Sequence, residues 1–426
     1  VSAQGLDQPV VSASALRSVN FFNGRLLTGE DLQREQATNQ ARLARLGRAD
    51  GEGVAYGLEV TGLPSASTNA QPIVQIAPGL ALSRSGVALE LSAPVEVSLL
   101  HTPPSSASNV EPGNLFAECQ PAAPGTYTAG SGVYVLVVGP AQTGEGRAQA
   151  SGPARAESPC TVSLSVETVA FRLIRLALPG SEPSNVQLLR NRVAYECFGV
   201  TETGYAVVDP FAAPTGWGLI DALRTQVLGD DEVPLATIGW SIDTGIEFID
   251  MWSVRRRPTR PPVEDAWALL ADDRRSAEGE AMFLQFQEQL ADLMVGPSAE
   301  SVTVAENFEY LPPAGIVPVA SAGALRPGIE PTTFFTGTTT REAMVLEGAK
   351  VLPLLRRSFR FPPIAPASRE FIWLYEVREN RDPNAWTAGA PGGPYLLFTT
   401  GFMRYAAQPQ FDLSRWDYAN FALHTD

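Results

Sequence analysis

The sequence predicts an α+β protein, predominantly β and multidomain, with an N-terminal arm and helix, small β domains and an aromatic-rich C-terminal β domain. Three observations predict it. At 426 residues the chain exceeds what one ordinary hydrophobic core encloses. Its 37 glycines and 35 prolines cut it into short runs joined by turns and ordered loops. Most apolar runs are short and alternate with period two, as strands do, and their spacing is not that of β/α units. An apolar fraction of 44% is that of a globular chain.

Residues 1–27 read as an extended docking arm of small and polar residues. Residues 28–100 follow as a helix plus a small β domain. Thr28 is placed as an N-cap with Asp31 three positions on, close to a capping box. Leu32, Gln36, Leu43 and Leu46 form one weakly apolar face, suited to light packing or to pairing with a partner chain, and Gly47 supplies a stop. Strand-like runs then cover 53–60, 73–77, 81–82, 87–91 and 95–99.

Residues 101–215 read as a β-rich domain with long loops. Within it, 133–138 is a buried strand, 139–158 a small-residue loop, 161–176 a strand pair or one long bent strand, and 185–195 a helix. Residues 216–300 hold a short helix at 219–228, adjacent strands at 232–240 and 245–250, and the clearest helix, 276–294. Met282, Phe283, Phe286, Leu290 and Met294 recur along that helix at core spacing. Residues 301–426 form an aromatic-rich β domain with core strands at 371–377 and 395–400. Trp373, Tyr375 and Trp416 suit a surface or partner contact, with core packing as the plainer reading.

Composition excludes several functions. A net charge of -15 with no long basic stripe repels a phosphate backbone, so nucleic acid is not an expected partner. The basic cluster Arg255, Arg256 and Arg257, with Arg260, lies among prolines and reads as a solvated linker or as a contact for an acidic partner surface. Cys119, Cys160 and Cys197 cannot all pair internally; a Cys119–Cys160 bridge and buried free thiols both remain open. With His101 and His424 the only histidines, there is no zinc cluster, and no cofactor or metal is expected. No run of 18 apolar residues provides a membrane span, and no signal peptide is visible.

The most distinctive segment is Phe21-Phe22-Asn23-Gly24-Arg25-Leu26-Leu27-Thr28-Gly29-Glu30-Asp31-Leu32-Gln33-Arg34-Glu35-Gln36. It is followed by Gly57-Leu58-Glu59-Val60, Pro78-Gly79-Leu80-Ala81-Leu82 and Gly86. In this order the segments resemble the opening of a poorly characterised group of large proteins whose genes accompany those of contractile phage-tail-like particles and extracellular injection systems. Looser likeness extends to 233–257 and 308–319. Relatives often carry aromatics and His in the helix, which this chain lacks. The resemblance brings no catalytic residue. It implies a structural component of such a particle, a baseplate, cap or peripheral subunit, with tube, sheath or baseplate proteins as partners. It also implies assembly in the cytoplasm, with release from the cell as a later fate. Phe21, Phe22, Asn23, Gly24, Arg25, Leu26 and Leu27 are the candidate docking residues. Phe21 and Phe22 would anchor the arm either on its own β domain or in a groove of a neighbour.

Two alternatives compete. One is a module binding cell-surface glycan through C-terminal aromatics. The other is a glycan-cleaving enzyme, which needs two carboxyls about 5 to 9 Å apart; its candidates are Asp243, Glu247, Asp250, Glu306 and Glu309. No nucleophile elbow, Walker lysine or Rossmann fingerprint is present, so an enzyme is not expected.

Overall fold

The computed structural model describes residues 15–64, 67, 72–99, 130–147, 162–198, 218–259, 273–295, 301–318, 328–342, 346–366, 371–378 and 395–399. It has a mixed α/β fold with several small β-sheets and an aromatic cluster toward the C-terminus. Cys119, Cys160, His101, Arg260, Trp416 and His424 lie outside the described residues.

Helix α1 (Gly29–Asp50) begins at Thr28 with a complete capping box. It runs three residues beyond the expected stop: the Gly51 N–H still makes the helical bond to the Gly47 carbonyl at 3.0 Å, and the positive φ of Gly51, +116°, ends the helix there. Gly47 has a different task. A Cβ on it would collide with the Gly86 backbone, and one on Gly86, whose φ is +87°, would collide with the Ala44 carbonyl. The two glycines bring helix and β-turn into backbone contact.

Six short strands follow: β1 (Gly53–Gly57), β2 (Val60–Gly62), β3 (Ile73–Ile76), β4 (Gly79–Leu82), β5 (Ala88–Leu91) and β6 (Val95–Ser98). They form two antiparallel sheets, ordered β1-β4-β5 and β2-β3-β6, and the chain passes between them at each of three corners. The run expected over 53–60 is therefore two strands. Gly57 at φ +65° and Leu58 at φ +55° turn the chain, and Leu58 is the one described non-glycine with positive φ. Such a backbone persists only where surroundings over-determine it. Here Leu58 is fully buried in the core of Val54, Val60, Val74, Ile76 and Leu89.

Next come β7 (Gly132–Arg147), β8 (Val162–Arg175), α2 (Val186–Phe198), α3 (Gly218–Arg224), β9 (Val233–Ser241) and β10 (Gly245–Asp250). They supply one antiparallel sheet, β10-β9-β7-β8. Residues 139–147, expected as loop, are strand. Their small residues carry no alternation of their own, but β8 pairs with them continuously from Tyr134↔Arg175 to Arg147↔Val162. The 161–176 stretch is one long strand. The β9–β10 pair is as expected.

The remaining elements are α4 (Asp273–Met294), α5 (Val304–Asn307), β11 (Ala314–Pro318), α6 (Pro331–Phe334), β12 (Thr339–Glu342), β13 (Leu346–Glu347), α7 (Gly348–Ser358), β14 (Phe371–Arg378) and β15 (Tyr395–Thr399). The last sheet runs β11-β15-β14-β12, with β13 beside β14; β12 and β13 lie parallel to β14. Helix α4 buries Met282, Phe286 and Leu290, as its spacing predicts. Phe286, Phe308, Phe334 and Phe335 meet at ring distances of 4.9–6.1 Å.

The boundary drawn at 215/216 does not separate folding units. It runs through the β10-β9-β7-β8 sheet, since β7 pairs with β9. The small sandwich shares its core with that sheet as well, through Tyr134, Leu136, Leu235 and Ile238.

Candidate docking site

Local bonds fix how the arm enters α1. The Arg25 N–H donates to the Phe22 carbonyl at 3.2 Å across Gly24, whose φ of +88° closes the turn. The Arg25 guanidinium then ties three parts together. It donates to the Asn20 carbonyl at 2.8 Å, pairs with Asp31 at 2.7 Å and lies 6.0 Å from the centre of the Phe22 ring. Asp31 closes the capping box with Thr28 at 3.2 Å in each direction. The hydrogen bond from the Thr28 backbone, helped by the Thr28 hydroxyl and Arg25, holds the Asp31 carboxyl below the usual range against an opposing desolvation.

Upstream residues fold back along the helix. The Val19 N–H donates to Glu35 at 3.1 Å, and the Thr38 hydroxyl donates to the Arg17 carbonyl at 2.8 Å. The arm and α1 thus run antiparallel, joined by polar bonds. Val19 is the buried arm residue. Phe21 and Phe22 are not anchors within this chain: they are 55% and 63% exposed, and Leu26 is 90% exposed.

The helix is turned differently from the expectation. Its inward-facing set is Asp31, Glu35, Thr38, Ala41, Ala44 and Gly47. Leu32, Leu43 and Leu46 stand in solvent, the last two more than 65% exposed. The physical reason is the Gly47–Gly86 approach, which only a small-residue face permits. The stripe Thr38, Ala41, Ala44, Gly47 was the available signal in the sequence. Leucine spacing alone pointed the wrong way.

The other candidates divide differently. Arg255 is buried and is not a surface contact. It donates to the carbonyls of Leu58 at 3.2 Å and Gly57 at 2.5 Å, bracing the turn between β1 and β2. Arg256 pairs with the buried Glu278 at 2.7 Å and lies 4.5 Å from the centre of the Phe198 ring. Arg257, 40% exposed, holds Asp273 and Glu280 at 2.9 and 3.1 Å. Arg255 and Arg256 are internal wiring and not a solvated linker, while Arg257 makes its ion pairs at the surface. Tyr375 is likewise buried, its hydroxyl pushed up to about 12 by desolvation. Trp373 is half-buried beside Leu354 and Phe359.

Asp250 is fully buried and fully engaged. It accepts from Arg190 at 2.7 Å, Gln285 at 3.0 Å and the Ser253 N–H at 2.9 Å. Such a carboxylate has no free face for a substrate. Glu247 accepts from the Thr244 hydroxyl at 2.8 Å, and Glu309 faces Arg192 at 3.8 Å. Asp243, Glu306 and Glu309 are exposed.

A cleft of about 630 Å³, open solvent included, lies among Glu52, Cys197, Asp221, Arg224, Arg256, Arg274 and Glu278. Its charges are matched in pairs: Arg224 with Glu52, Arg256 with Glu278, Arg274 with Asp221. Burial pushes the Cys197 thiol up to about 12, which keeps it from acting as a thiolate at neutral pH. Among the described residues no group of three or more His, Cys, Asp or Glu could hold a metal ion, and no helix is long and apolar enough to cross a membrane.

No protein-family model matches the chain, and a search of curated proteins finds no relative. Among solved structures, a crystal structure of TssK is matched at a TM-score of 0.23 and 11% sequence identity, over 67% of this chain and 54% of the TssK chain. The match spans about half the length of TssK, and at that score it carries no argument about fold or site.

Proposed function

We propose that this chain is a structural subunit of a contractile phage-tail-like injection particle, a baseplate, cap or peripheral component that works by docking to other particle proteins without a cofactor. The observation behind the reading is a coincidence of position. The segment resembling particle-associated proteins, 21–36, is also where the structure leaves Phe21, Phe22, Leu26, Leu27 and Leu32 exposed on an ordered turn and helix start. Ordered apolar side chains presented to solvent are what a partner surface covers. Assembly in the cytoplasm follows from that role, as does the absence of a catalytic step.

The glycan-binding alternative draws no support from Phe308, Tyr310, Phe334, Phe335, Phe359 and Tyr375, which are all core; Trp373 and Phe361 are half-buried. The decisive experiment is electron cryomicroscopy of native material purified through a tag on this chain. Density at fixed sites on a tube, sheath or baseplate is expected. A discrete oligomer free of any particle would sink the reading. In the same preparation, Phe21→Ala with Phe22→Ala should cut incorporation while leaving the melting temperature unchanged, because both rings stand in solvent.

A further inference from the structure

We propose that the cleft beside α3 binds an organic monocarboxylate, held by Arg224. This is a second site, and it does not rest on the docking reading. Arg224 is the last residue of α3, and its side chain is 9% exposed. Its ion pair uses one nitrogen only: Nη2 lies 2.9 Å from Glu52 Oε2. Nε and Nη1 are both buried, and among the described residues neither has an acceptor. A guanidinium carries five N–H donors and keeps its charge, so donors left unmet at a buried position are costly unless a ligand accepts from them.

Glu52 does not make up the shortfall. The same Oε2 lies 3.5 Å from Arg84 Nε, so one carboxylate serves two guanidinium groups. The other two cations of the cleft are engaged, Arg256 with Glu278 at 2.7 Å and Arg274 with Asp221 at 2.8 Å. Burial lowers the Arg224 pKa, and Arg84 adds to this against the pull of Glu52, Asp221 and Asp230. An anion accepting from Nε or Nη1 would offset both causes.

The surroundings define the class of ligand. The anion shares its guanidinium with Glu52, so a single negative charge is repelled less than the double charge of a phosphate. Planar guanidinium donors also match a carboxylate. Beyond the charges the wall is apolar, since Ile220, Val233, Pro234 and Val254 line the same cleft. An apolar wall beside a buried cationic donor takes a carboxylate with a hydrocarbon body. Two sources supply that chemistry: a free small acid, and an acidic side chain of another protein.

Isothermal titration calorimetry of the intact protein, with hexanoate as the probe, tests the site. Hexanoate should bind at one site with a Kd of roughly 1 mM, and hexanol and inorganic phosphate should each bind at least about tenfold more weakly. Arg224→Met should abolish binding. If that variant fails to fold, Glu52→Gln gives an independent reading. With the internal competitor neutral, hexanoate should bind roughly fivefold tighter, which a damaged fold would not produce. The proposal is overturned by an absence of heat up to about 100 mM hexanoate, by equal binding of hexanol, by unchanged affinity in Arg224→Met, or by no gain in Glu52→Gln. Mass spectrometry of acid-extracted protein separates the sources. A stoichiometric carboxylic acid released from wild type and not from Arg224→Met identifies a free ligand. A wild type that is empty on purification yet binds hexanoate assigns the cleft to a protein carboxylate, and Arg224→Met should then lower incorporation into a particle.

Discussion

Arg255 illustrates how residue identity and position part company. In sequence it opens a run of three arginines among prolines, which suggests an outward basic patch. In the structure its guanidinium is taken by two carbonyls of a left-handed turn. Truncating it would leave those acceptors without their charged donor, so Arg255→Ala should lower stability by about 2–4 kcal/mol, measurable by urea unfolding. Glu288 makes the complementary case. Burial, with Asp250 and Asp292 nearby, pushes its carboxyl up to about 7, against the pull of Arg190 at 3.7 Å. A raised carboxyl pKa favours the folded state at low pH. That contribution is complete below the ordinary value of 4.5 and is lost as pH rises through about 7. The side chain is 35% exposed, so solvent screening reduces the effect to roughly 1 kcal/mol. Wild type should therefore lose stability between pH 5 and pH 8 relative to Glu288→Gln. Parallel thermal melts of the two proteins at both pH values would show no divergence if Glu288 stays charged throughout.

At the scale of elements, local chemistry was legible and direction was not. The Thr28 cap, the β9–β10 pair and the buried face of α4 were all readable, because each depends on residues a few positions apart. The rotation of α1 depends on Gly86, some forty residues away, and the strand character of 139–147 depends on β8. Neither partner could be seen from the element itself. The same limit applies beside the candidate docking segment: the turn at Gly24 and the cap at Thr28 were readable from the motif, but the direction α1 faces was not. The α1 packing gives a direct test. Gly86→Ala adds a Cβ where the Ala44 carbonyl lies and strains a φ of +87°. It should cost about 1–3 kcal/mol by overpacking. It should also raise hydrogen exchange across α1 more than across β7. Equal protection of α1 in both proteins would show that the glycine contact does not hold the helix.

At the scale of the whole molecule, a polar network joins two large apolar regions, beside an apolar cluster of Ala194, Phe198, Ala281, Met282 and Tyr310. On one side the sandwich and the β10-β9-β7-β8 sheet share a core; on the other, α4 and α7 pack against the last sheet. Between them Arg190 of α2 reaches Asp250 of β10 at 2.7 Å and Asp292 of α4 at 2.6 Å. Gln285 links Asp250 to the Tyr310 hydroxyl, and Gln289 reaches the carbonyls of Gln187 and Asn307. Desolvation opposes the Arg190 charge, but Asp250 and its other acidic neighbours prevail and hold its pKa above the ordinary value. A buried charge left alone is far worse than one never buried, so Arg190→Ala should cost about 3–5 kcal/mol through the stranded Asp250. The apolar cluster still joins the two sides in that variant, so it should unfold in a single calorimetric step at a lower temperature. Arg190→Ala with Asp250→Asn removes both charges and should recover part of the lost stability, because the remaining amide can still accept and donate hydrogen bonds. A double variant no more stable than the single one would mean that α2 is held by its apolar face alone.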